Sequence, residues 1–197
     1  MDKIIEIQRK GGVARVKLLS GDMLKIPSPL FLERRLREGE SLDPQAYRQF
    51  MLKRAYPHAL EAAMKFLALR ERSENEVRAR LKRSCYDEET IEKVLAALAG
   101  HELVSDARFA QGWVHSRSKK YGKSRIAQEL KMKGVSRQDA SAALDQLSEE
   151  DELERAVEQA RKIARRLQDP QKITRALMRR GYNWVIIRQA LQHLGDE

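Results

Sequence analysis

Residues 73–100, SENEVRARLKRSCYDEETIEKVLAALAG, read as two short helices joined by a tight turn, and the same pattern returns twice. It recurs as GKSRIAQELKMKGVSRQDASAALDQL over 122–147 and as DPQKITRALMRRGYNWVIIRQALQHL over 169–194. With Leu81, Leu130 and Leu177 placed in register, Val77, Ile126 and Ile173 align on one side of them. On the other side follow Ile91, Ala140 and Ile187, then Val94, Ala143 and Ala190, then Leu95, Leu144 and Leu191, then Leu98, Leu147 and Leu194. The apolar spacing is helical, and a period of nearly fifty residues is that of stacked helical units, each too small to bury its own apolar face alone.

The punctuation between helices repeats as well. Ser73, Gly122 and Asp169 precede the second helix of each unit and Asp87, Ser136 and Asn183 the third, where an N-cap must satisfy free backbone N–H groups. Glu76 three residues after Ser73 is a capping-box signature, and Pro170 directly after Asp169 suits a first helical turn. Gly134 and Gly181 sit where the second helix must turn left-handed to end; the equivalent residue of the first unit is Cys85, which predicts mild strain or a different turn there. First helices are expected over about 57–71, 106–120 and 149–167, with Leu60, Phe109 and Ala156, then Met64, Trp113 and Ala160, as matching core positions.

Upstream, KIIEIQR, VARVKLL and MLKIP are separated by Gly11-Gly12 and Ser20-Gly21-Asp22 and read as a small β-meander. Ile5, Ile7, Ala14, Val16, Leu18, Leu24 and Ile26 are assigned to its apolar face, which helices over 29–38 and 44–55 would cover. The expected architecture is therefore mainly α: an N-terminal meander with helices (1–56), then three tandem three-helix, helix-turn-helix-like repeats (57–104, 105–148, 149–197).

The chain has 197 residues and a net charge of +10, which favours an anionic partner. A single cysteine excludes an internal disulfide framework, no apolar run reaches a membrane span, and MDKIIEIQRK lacks the apolar core of a signal peptide. These features point to a cytoplasmic protein without membrane contact. The histidines at 58, 101, 115 and 193 stand singly, and no CxxC accompanies Cys85, so no metal site or cofactor is expected. Gly122-Lys123-Ser124 has the tail of a phosphate-binding loop, but Arg117 stands where that motif needs glycine and the flanks are helical. No catalytic constellation emerges, and the chain does not read as an enzyme.

The positive charge is uneven. Arg117, Lys119, Lys120, Lys123, Arg125, Lys131 and Lys133 crowd the middle repeat with Glu129 the only acid among them. Helix C-termini explain one or two cations per helix through the macrodipole, but not seven, since like charges repel unless a counter-charge is present. A polyanion-facing surface is the expectation, with Arg70, Arg72, Arg175, Arg179 and Arg180 as a second group. Tyr121 in its midst could stack on a base or cap the core. The third helices are poor groove readers, because DEETIEKVLAALAG is acidic and SRQDASAALDQL offers a single Arg137.

With these motifs assembled, the chain resembles the RecX family of regulators of the RecA recombinase. The resemblance rests on Ala68-Leu69-Arg70-Glu71-Arg72-Ser73 with Glu76, on Leu103-Val104-Ser105-Asp106-Ala107-Arg108-Phe109-Ala110, and on Gly122 with Arg125-Ile126. It continues through Glu129-Leu130-Lys131-Met132-Lys133-Gly134 and Arg179-Arg180-Gly181-Tyr182, spanning about 57–194. It implies an elongated, curved array of the three repeats, acting as a monomer, that lies on the RecA filament on single-stranded DNA and inhibits ATP hydrolysis and strand exchange. DNA contact would be weak or made through RecA. An independent, non-sequence-specific DNA-binding protein and a plain interaction scaffold are the competing readings.

Overall fold

The computed structural model describes residues 1–167 and 169–195. The chain divides into two compact units, Met1–Val104 and Ser105–Glu197. The first holds a sheet of β1 (Asp2–Lys10), β2 (Val13–Leu18), β3 (Met23–Pro27) and β4 (Ser41–Leu42), antiparallel throughout and ordered β3-β2-β1-β4. Gly11 and Gly12, with φ of +61° and +84°, make the two-residue turn between β1 and β2 that only positive φ at both positions permits without strain.

The apolar face differs from expectation at one residue. The ladder between β1 and β2 shifts register between Ile4 and Glu6, and this bulge changes which side chains point inward. Ile4 is consequently 1% exposed and Ile5 43%, while Ala14, Val16, Leu18, Leu24 and Ile26 are buried as assigned.

Two helices cover the sheet. Helix α1 (Ser28–Glu33) is shorter than the expected 29–38, because the chain beyond it is drawn to the sheet edge: Gly39 N–H donates to the Ile4 carbonyl, and Ile4 N–H to that of Glu40. The helices expected over 44–55 and 57–71 are one, α2 (Pro44–Leu67), capped by the Asp43 carboxylate, which accepts from the Gln45 and Ala46 amides. Pro57 removes one helical bond but lies on the exposed face, where solvent can compensate the freed carbonyl. The opposite face buries Tyr47, Ala55, Ala59 and Ala63. The sheet, α2, α3 (Glu74–Arg83) and α4 (Glu88–Gly100) share one core running from Ile4 to Val104.

The second unit contains α5 (Asp106–Ser118), α6 (Lys123–Met132) and α7 (Arg137–Leu144), then α8 (Glu149–Ala164), α9 (Pro170–Arg179) and α10 (Trp184–Gly195). Each trio has its own core. The anticipated caps form: Ser73, Asp87, Ser136, Asp169 and Asn183 each accept a first-turn amide. All three second helices end alike. The amides of Cys85, Gly134 and Gly181 donate to Lys82, Lys131 and Met178, and those of Tyr86, Val135 and Tyr182 donate back to Leu81, Leu130 and Leu177. This is the Schellman closure, and Cys85 adopts the left-handed φ of +63° that it demands, beside +80° and +83° at the two glycines.

First-helix register does not carry across the repeats. Met64 is 50% exposed, and Ala59 and Ala63 hold the core instead. The connection between first and second helix covers 68–73 in one repeat, 119–122 in the next and 165–169 in the last. An alignment anchored on the second helix therefore slips when extended backwards.

Candidate nucleic-acid interface

The N-terminus of α6 is built into the neighbouring repeat. Gly122 offers no capping side chain, and three donors there find partners in the third repeat. The Gly122 amide donates to the Arg180 carbonyl (2.9 Å), that of Lys123 to Glu152 Oε1 (3.0 Å) and that of Ser124 to the Gly181 carbonyl (3.3 Å). Glu152, buried on α8, thus acts as the cap that Gly122 lacks. The amides that a phosphate loop would offer are engaged in packing, which disposes of the Gly-Lys-Ser resemblance on structural grounds.

Close approach makes this joint possible. A Cβ on Gly122 would stand 2.4 Å from the Gly181 carbonyl oxygen, and one on Gly181 2.4 Å from Arg125 Cβ. Arg125 completes the joint by donating from Nη1 to the Arg179 carbonyl at 3.0 Å, and Lys123 Nζ donates to the Leu147 carbonyl at 2.6 Å.

Glu129 gathers another part of the cationic cluster. Its side chain, 12% exposed, accepts from Arg117 Nε at 2.8 Å and Nη2 at 2.7 Å, from Arg125 Nε at 3.4 Å and from Trp113 Nε1 at 3.1 Å. The Arg117 pair holds this carboxyl below the usual range and raises Arg117 in turn. Arg117 and Arg125 also lie 4.3 and 4.2 Å from the Tyr121 ring centre, and Lys133 Nζ 4.2 Å from that of Trp113.

The seven cations grouped by sequence therefore part company. Arg117, Lys123, Arg125 and Lys133 are half-buried and bound to their own molecule, whereas Lys119, Lys120 and Lys131 are exposed. Among the second group, Arg70 makes a two-pronged pair with Glu76, and Arg72 lies 4.0 Å over the Phe66 ring, where burial depresses its pKa. Arg180 donates to Gln159 Oε1, while the Arg175 and Arg179 side chains are exposed.

Sequence reading did not assign to the site Arg155, Lys162, Arg165 and Arg166 of α8 and its end, which line the same clefts as Lys119, Lys120 and Arg180. The third repeat, 149–197, is close to charge balance as a whole, because it opens with Glu149-Glu150-Asp151-Glu152. Within it 161–180 holds eight cations and one acid, Lys162, Arg165 and Arg166 among them, while Arg155 stands apart between Glu154 and Glu158. Among the described residues no group of three or more His, Cys, Asp or Glu is placed to hold a metal ion, and no helix is long and apolar enough to cross a membrane.

Comparison with known proteins agrees with this arrangement of repeats. Models of the RecX first, second and third three-helix domains match residues 59–98, 105–144 and 149–191 in order. The regulatory protein RecX of Amycolatopsis mediterranei is 37% identical over 154 residues, covering 72% of this chain and 88% of that one. That of Enterococcus faecalis is 28% identical over 196 residues, covering 95% and 74%. A RecX crystal structure from Lactobacillus salivarius superimposes with a TM-score of 0.67 at 25% identity over 72% of this chain and 97% of that one. Another RecX crystal structure shares the fold over 98% of this chain and all of its own, with a TM-score of 0.68. The relatives carry the name of a regulatory protein and not of an enzyme, and with three of its domains present in sequence, this chain belongs to the RecX family.

Proposed function

We propose that this protein binds the RecA recombinase filament on single-stranded DNA and restrains its ATP hydrolysis and strand exchange. The observation that carries the reading is the ordered succession of three RecX domains whose second-helix ends and connections present exposed cations. Lys119, Lys120, Lys131, Arg175 and Arg179 are the contacts on this reading, because their side chains are exposed and carry positive charge outward. Arg117, Lys123 and Arg125 serve the same surface indirectly, by fixing the helices that display it. No chemistry of its own is required: a binding regulator acts by favouring one state of the filament over another.

The test is RecA's DNA-dependent ATPase with rising amounts of this protein. Inhibition well below equimolar RecA is expected, and Lys119→Glu/Lys120→Glu/Lys131→Glu should weaken it while far-ultraviolet circular dichroism stays unchanged. An ATPase indifferent to the wild-type protein would refute the reading.

A further inference from the structure

Lys119 and Lys120 follow α5, and Arg165 and Arg166 follow α8; both pairs open onto one concavity. A cleft of about 570 Å³ lined by Lys119, Lys120, Arg155 and Lys162 adjoins one of about 660 Å³ lined by Lys162, Arg165 and Arg166. The two share Gln159, Lys162 and Arg180 and so form one groove. We propose that this groove binds the phosphate backbone of single-stranded DNA directly. The proposal deepens the reading above by naming the strand as the ligand of this face, and bare oligonucleotide tests it without any recombinase.

The groove has an excess of positive charge. Two helix C-termini together supply about one unit of negative charge, and among the described residues Glu158 is the one carboxylate lining the groove, already paired with Lys162 at 2.5 Å. Against these stand Lys119, Lys120, Arg155, Lys162, Arg165 and Arg166, which leaves about four positive charges without a counter-charge among the described residues of the lining. Capping of helix ends accounts for a minority of them.

Geometry and side-chain type then select the ligand. Half of the six are arginines, whose planar forks match phosphate oxygens. Arg155 is half-buried and lines the concavity, a placement that favours a narrow phosphodiester chain over a broad acidic protein face. Gln159, itself buried, fixes the groove floor: Nε2 donates to the Lys119 carbonyl at 3.1 Å, and Oε1 accepts from Arg180. The site is thus organised before any strand arrives. Duplex groove reading is disfavoured, since α7 and α10 carry one arginine each, Arg137 and Arg188. The Tyr121 ring at the groove edge already meets two guanidinium groups, so contact is to the backbone and insensitive to base identity.

Fluorescence anisotropy of the full chain with labelled oligo-dT across a salt series decides the matter. Each phosphate contact contributes a salt slope of about −0.7 and so about fivefold in affinity at 0.1 M salt. Arg165→Ala/Arg166→Ala should therefore weaken binding on the order of 25-fold and flatten the slope by about 1.4. Lys119→Ala/Lys120→Ala should behave alike, and Arg15→Ala/Lys17→Ala, which removes two exposed cations of β2, should retain affinity within about threefold. Groove variants that bind oligo-dT with unaltered affinity and slope would overturn the proposal. So would a wild-type protein that fails to bind bare strands, or groove variants that lose ATPase inhibition yet keep oligonucleotide binding, which would assign the face to a protein partner. Strand binding lost in the groove variants, beside a wild-type protein without effect on RecA, would uphold the groove and refute the filament reading.

Discussion

Replacing Gly122 with alanine adds one methyl group at the joint between the second and third repeats, where only backbone stands to receive it. The new Cβ would meet the Gly181 carbonyl oxygen at 2.4 Å and the Tyr182 amide nitrogen at 2.6 Å. These are backbone atoms of a closed helix end and cannot swing aside, so α6 must withdraw from α9. Overpacking of this kind costs about 1–3 kcal/mol. Withdrawal also breaks the bonds from the Gly122 and Ser124 amides to Arg180 and Gly181, at about 0.5–1.5 kcal/mol each. The total is about 3 kcal/mol, which moves a urea midpoint by on the order of 1–2 M. Native-state hydrogen exchange should show the amides of 122–126 and 180–182 losing protection ahead of the α7 amides. The same substitution at Gly112, mid-helix in α5 with nothing within 4 Å of its Cβ position, should instead stabilise by about 0.5–1 kcal/mol. Equal effects at the two glycines, or a Gly122→Ala protein within about 0.5 kcal/mol of wild type, would refute the reasoning.

Cys85→Gly should raise stability by about 1 kcal/mol, since it relieves a side chain held at positive φ; chemical denaturation measures it, and a loss of stability would count against a strained turn. Glu129→Gln leaves Arg117 and Arg125 without their shared carboxylate and should cost about 2 kcal/mol near pH 7. Because Glu129 is depressed in the folded state, its contribution is full above the unfolded value of about 4.3 and lost as pH falls through the folded one; the gap between variant and wild type should therefore shrink as pH falls below about 4.3 and close once it passes below the folded value. A gap independent of pH would show that the carboxylate charge is not what matters. Tyr182→Phe should be neutral or slightly stabilising, because the buried hydroxyl has no partner among the described residues; a loss above about 1 kcal/mol in thermal unfolding would show otherwise.

The parts of this fold that were legible beforehand depend on neighbours a few residues apart. An N-cap concerns Ser73 and Glu76, a helix end Leu81, Lys82, Cys85 and Tyr86, and a hairpin Gly11 and Gly12. Such short-range geometry repeats with the residues that encode it. The bulge at β1, the passage of α2 through Pro57 and the first-helix register were not legible, because each is settled by what packs against the segment.

The candidate site divides in the same way. Sequence alone determined that three like units follow one another and that cations concentrate beside their second helices, since charge and period are properties of the chain as written. Which cations meet the outside was decided only by folding. Arg117 finds Glu129 twelve positions away, Lys123 reaches Leu147, Arg125 reaches Arg179, and Gln159 reaches back to Lys119. A charge is available to a partner only if its own molecule has not already neutralised or hydrogen-bonded it, and those partners lie far along the chain and near in space.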